Sequence, residues 1–98
     1  MKLNFNKALT YLDGEAYKDE KNEPLLMNKV LANNLIKLTT GDPLKLYDWA
    51  VALYKTGILD LDRADQEQLK SIIKGFTDMY IIAKAQMFEV FEKLEKDQ

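Results

Sequence analysis

Cysteine and histidine are both absent from the 98 residues, and four glycines and two prolines are the only strong backbone breakers. Without thiol or imidazole there is no disulfide, no thiolate nucleophile or metal site, and neither the commonest general base nor the commonest metal ligand. An excess of one charge is also lacking, since 14 lysines and arginines against 16 acids leave a net charge of -2. That balance supplies neither the electropositive footprint of a nucleic-acid binder nor a polybasic hook for an anionic membrane. Long apolar runs are missing as well. The longest, residues 49–54, has six residues, whereas a helix needs about 20 to span a bilayer. A secretory leader needs an unbroken apolar stretch of roughly 7 to 15 residues, and Asn4, Asn6 and Lys7 interrupt the first segment. The expectation is a soluble cytoplasmic protein with no cofactor, no membrane association, no nucleic-acid partner and no small-molecule substrate.

What is present is an ordinary globular composition, 47% apolar and 31% charged, which can bury enough surface to fold. The length allows one core, so residues 1–98 are read as a single domain. Leu3, Phe5, Leu9 and Tyr11 share one parity and Lys2, Asn4, Asn6 and Thr10 the other, the pattern of a strand with one wet face. Asp13-Gly14 suits a tight turn, so residues 1–18 are expected to form a β-hairpin whose Phe5 and Tyr11 face the core. The polar tract 19–23 reads as a solvated loop closed by Pro24. No internal repeat or low-complexity segment stands out.

Four helices follow in the pattern. Met27, Leu31, Leu35 and Leu38 recur at helical spacing, predicting a helix over 27–38; Asn34 lies near its apolar stripe and must find a hydrogen-bond partner. Asp42 as cap, Pro43 in the first helical position and Gly57 as stop predict a second helix over 43–56. Leu46, Trp49, Ala50 and Leu53 line one of its faces, and Tyr47, Val51 and Tyr54 line the next. This helix is therefore expected to be central and covered on two sides. Residues 58–61 are suited to a third short strand. Asp62 caps a helix over 63–74, and the last helix is expected over 78–94, with residues 95–98 a frayed tail. The fold class is α+β: an N-terminal hairpin packed on four helices.

Tests for chemistry mostly fail. The cluster Asp60, Asp62, Asp65 and Glu67 suggests a calcium loop, but the sixth and twelfth places hold Asp65 and Ser71 instead of glycine and glutamate. The glycines are scattered, so no phosphate-cradling motif exists. No catalytic, cofactor or metal residues are assigned. Phe5, Tyr11 and Tyr17 with Lys2, Lys7 and Lys18 could form a single-strand nucleic-acid platform, against which the strand parity places Phe5 and Tyr11 in the core. The informative surplus is apolar: the last helix is apolar around more than half its circumference. Either the hairpin and second helix cover it, or it binds a partner, for which aromatic residues and methionine are suited. Tyr80, Met87, Phe88 and Phe91 are the candidate partner surface, with the free edge of the hairpin as a second place for a partner strand.

The order Leu12-Asp13-Gly14, Lys18-Asp19-Glu20, Glu23-Pro24-Leu25, Val30-Leu31-Ala32-Asn33, Leu46-Tyr47, Ala52-Leu53-Tyr54-Lys55 and Leu59-Asp60-Leu61 resembles small uncharacterised proteins of tailed bacteriophages and prophages. The stretch 76–80 departs from that pattern in lacking a proline. The resemblance implies a non-enzymatic phage accessory or assembly protein in the host cytoplasm, acting through a protein partner or by forming a homo-oligomer. The alternative is a small phage-encoded regulator of host transcription or nucleic-acid processes.

Overall fold

The computed structural model describes residues 1–96, with side chains through residue 93. Strand β1 (Lys2–Asn4) pairs antiparallel with β2 (Ile58–Asp60), Leu3 lying opposite Leu59. Both strands alternate exposed, buried, exposed, so Leu3 and Leu59 point into the core and their neighbours into water. The α+β class stands, and the third strand expected near 58–61 is present as β2. Its partner is the first three-residue strand, and the Phe5 N–H donates to the Gly57 carbonyl to prolong the pairing. Gly57 closes the preceding helix at φ +76°, and a Cβ there would lie 2.5 Å from the Asn6 Cβ. A side chain is therefore excluded both by backbone conformation and by the strand passing over it.

Beyond Lys7 the ladder stops and the chain builds two tandem hairpins. Arms 8–10, 16–18 and 24–26 pair with one another through the bridges Thr10–Ala16, Lys18–Pro24 and Ala8–Leu26. At the centre, Leu9 N–H donates to the Leu25 carbonyl, Leu25 N–H to Tyr17 and Tyr17 N–H to Leu9, at 2.8 to 2.9 Å. This closed triangle ties each arm to both of the others at its central residue. Both turns use the same bonds eight residues apart: Tyr11 N–H to Glu15 and Gly14 N–H to Tyr11 in the first, Asp19 N–H to Glu23 and Asn22 N–H to Asp19 in the second. Gly14 (φ +91°) and Asn22 (φ +64°) hold the equivalent left-handed position, which asparagine tolerates better than other non-glycine residues. The Asp13-Gly14 turn is where expected, but the hairpin it closes spans only arms 8–10 and 16–18, because the start of the expected 1–18 hairpin pairs with Ile58–Asp60 instead. The tract 19–23 is a second turn rather than an unanchored loop, and the segment contains a structural repeat. Tyr11 is also corrected: it starts the turn, which swings its ring out to stack on Tyr17 at 3.8 Å between ring centroids.

Helix α1 (Met27–Ile36) ends two residues before the apolar pattern does, because Lys37 and Leu38 bond three residues back and tighten the last turn. Helix α2 (Pro43–Thr56) has both expected ends: the Asp42 carboxylate accepts from Leu44 and Lys45 N–H, and Gly57 takes the left-handed cap. The Asp62 carboxylate caps α3 (Arg63–Gly75) by accepting from Asp65 N–H at 2.8 Å. Helix α4 (Ile81–Lys96) starts three residues later than expected. Phe76 must first turn back into the core, and the Lys84 ammonium then binds the Lys74 and Phe76 carbonyls, satisfying the end of α3 from the next helix. The expected frayed tail is helical to Lys96, and its last two residues lie outside the described ones.

The core lies where α4 crosses β1 and where α1 and α2 form an antiparallel pair. Phe5 and Phe91 meet edge to face at 5.9 Å, a favourable geometry for buried rings. The Gln86 side chain takes both backbone groups of Thr10, accepting from its N–H at 3.0 Å and donating to its carbonyl at 2.7 Å. In effect a side-chain amide on α4 acts as one more strand residue and fastens the hairpins to the helix.

Candidate protein-binding surface

The four residues expected to form a partner surface on the last helix are not brought together on the outside. Met87 and Phe91 are completely buried, Phe88 is half-buried against Phe91, and only Tyr80 is open, at 74% exposure. The surplus of apolar residues on α4 has an internal cause. β1 with Leu3, and Phe5 just beyond its end, cover one flank and α3 covers another, where Lys70 lies over the Phe91 ring at 5.3 Å. Nor does the hairpin offer a free edge, since the arms close on one another and Gln86 takes Thr10.

Tyr80 and its neighbour Ile81, 84% exposed, stand open at the start of α4, but the longest row of exposed apolar residues on one described helix lies on α2. Leu44, Tyr47 and Tyr54 are 77%, 61% and 56% exposed, and Val51 between them is half-buried. Their spacing of three, four and three residues aligns them along the helix as a heptad seam. The opposite face, Leu46, Trp49, Ala50 and Leu53, is buried. The expectation that α2 is covered on two sides is therefore corrected: the described residues cover one. α1 runs alongside, fixed by Asn28, whose amide donates to the Leu53 carbonyl at 2.8 Å. Contact between the start of α1 and the end of α2 makes the pair antiparallel. The two helices leave an apolar groove of about 290 Å³ lined by Ala32, Ile36, Tyr47, Val51 and Tyr54, with Ile36 itself 59% exposed.

The rim of this groove is cationic. Lys55 lines it, and Lys29 lies over the Tyr54 ring at 5.4 Å, a cation–π contact. Lys37 directly follows the groove residue Ile36 as the C-cap of α1. Asp48 is the sole acid inside the two helices. Between residues 27 and 56, Lys29, Lys37, Lys45 and Lys55 face only Asp42 and Asp48. The segment thus carries +2 in a chain of -2. Lys45 is engaged by Asp65 at 2.6 Å, whereas Lys37 and Lys55 point to no acid among the described residues.

Other residues with chemical promise have structural employment. Asp60 binds the N-terminal amine at 2.8 Å, which, with Lys2 nearby, holds its carboxyl below the usual range. Asp62 caps α3, and Glu67 approaches Lys70. Among the described residues no three acids converge on one point. Asn34 is satisfied by donating to the Val30 carbonyl at 2.8 Å. Two amides are buried: Gln66 donates to the Leu61 carbonyl at 3.1 Å, and Asn28, whose Oδ1 has no partner among the described residues, stands at three- and four-residue spacing with Leu31 and Leu35, the signal that places it on the apolar side. Of the aromatic platform, Phe5 is in the core, and Tyr11 and Tyr17 stack on each other. No described helix is long and apolar enough to cross a membrane. Comparison with protein-family models, with curated proteins and with solved structures gave no match.

Proposed function

We infer that the chain works by binding another protein, as a non-catalytic accessory factor of the kind that its resemblance to phage proteins suggests, and that the binding face is the outer surface of α1 and α2. One observation carries the reading: Leu44, Tyr47, Val51 and Tyr54 form a helical seam on the solvent side of a helix whose other side is already packed. A seam of this kind is how one helix receives another, and tyrosines bring large contact area with little loss of rotamer freedom. The largest apolar patch on a monomer is often its functional one.

The test is affinity capture with the full chain and with a Tyr47→Ser/Tyr54→Ser variant, both checked for equal melting temperature. A single stoichiometric protein retained by the parent and lost by the variant is the expected result. Equal retention by both, or turnover of a small molecule abolished by one acid replacement at unchanged stability, would remove this reading.

A further inference from the structure

Resting on that reading, we propose that the groove between α1 and α2 takes an acidic amphipathic helix from the partner protein. The floor supplies apolar sockets between Ile36, Tyr47, Val51 and Tyr54, which match side chains recurring at three- and four-residue spacing on an incoming helix. The rim decides the sign of charge. Lys29 and Lys55 edge the groove, Lys37 follows directly on α1, and Asp48 is the single carboxylate within the two helices. Carboxylates flanking the apolar stripe of the incoming helix would meet these lysines, and a lysine-flanked helix would be repelled. The same rim disfavours a second copy docked face to face about a two-fold axis, because each set of lysines would then oppose itself. Charge segregation sharpens the contrast, since the rest of the chain carries the excess of acid.

The experiment uses the isotopically labelled full chain and two synthetic helical peptides of about 18 residues. They share one leucine pattern and differ only in glutamate or lysine at the flanking positions. The glutamate peptide is expected to shift backbone amide resonances within 29–37 and 44–55, to bind about tenfold or more tightly than the lysine peptide at low salt, and to lose most of that preference in about 0.5 M salt. Reversing the rim with Lys29→Glu/Lys37→Glu/Lys55→Glu should invert the preference. If that variant does not fold, the salt series on the parent chain still decides. Equal binding of both peptides, or shifts confined to the hairpins or α4, overturns the proposal. Sedimentation as a dimer that Tyr47→Ser converts to monomer also overturns it, in favour of a second copy. If neither peptide is preferred while capture remains dependent on Tyr47 and Tyr54, the acidic helix is wrong and the binding face stands; if capture is also indifferent to those tyrosines, both fall.

Discussion

Gly57 and Gly14 share a left-handed backbone, at φ +76° and +91°, but differ in their surroundings. An added Cβ at Gly14 meets nothing within 4 Å, whereas at Gly57 it meets Asn6 Cβ at 2.5 Å and backbone atoms at 3.0 and 3.1 Å. Gly14→Ala is therefore expected to lose only the backbone contribution, about 1 kcal/mol. Gly57→Ala should lose more, about 3 kcal/mol, because β1 must also move off β2. Urea midpoints at unchanged slope measure the difference. Asp60 makes a second prediction at this scale. Its carboxyl is held low chiefly by the bond from the N-terminal amine. A group depressed in the folded state stabilises above its unfolded pKa, and that contribution disappears as pH falls through the lower folded value. Asp60→Asn should thus flatten the acid limb of the stability curve and leave its shape above about pH 5 unchanged. An acid limb identical to the parent's would show that the ion pair adds nothing in solution, as is common for exposed pairs.

At the scale of elements, the polar attachment of the hairpins to α4 runs through the Gln86 amide. Gln86→Leu keeps the apolar stem but leaves both backbone groups of Thr10 without their partner. The expected loss is about 1–3 kcal/mol, with the Thr10 amide exchanging hydrogen faster than that of Leu9, which keeps its bond inside the triangle. The pattern from which the elements arise was unevenly visible. Both ends of α2 could be read because Asp42, Pro43 and Gly57 act locally, through a cap, a missing donor and a left-handed turn. The pairing of Lys2–Asn4 with Ile58–Asp60 could not, since three-residue strands carry no register signal and their partners are some 55 residues apart. The tandem hairpins are not legible in the sequence for another reason. Their equivalence lies in Gly14 and Asn22 and in Glu15 and Glu23, a likeness of turn geometry, while the arms pair leucine with tyrosine at Leu9 and Tyr17. The surface was half legible: Tyr47, Val51 and Tyr54 formed a visible second face, but periodicity says that a face is apolar and not whether the same chain covers it. Breadth on α4 was the misleading signal, because a helix wedged between a strand and another helix is as apolar as one awaiting a partner.

For the whole molecule, the two candidate surfaces make opposite demands on stability, and this separates them without any partner in hand. Met87 and Phe91 sit where β1, α3 and α4 converge and are fully buried. Truncating them removes transfer energy and opens cavities, so Met87→Ala should cost about 2–5 kcal/mol and Phe91→Ala about 3–5 kcal/mol. Either loss is a large part of the total stability of a domain this size. Tyr47 and Tyr54 are each more than half exposed among the described residues, so Tyr47→Ser/Tyr54→Ser should move the melting temperature little, within about 1 kcal/mol, and reduce binding of a dye that reports exposed apolar surface. A double variant at Tyr47 and Tyr54 that unfolds as readily as Phe91→Ala would mean that these rings belong to the core in solution. A Phe91→Ala variant of parental stability would restore the last helix as the surface on offer. The expected pair of results, a fragile core on α4 and a dispensable seam on α2, places the energy that folds the chain and the surface left for binding on different elements.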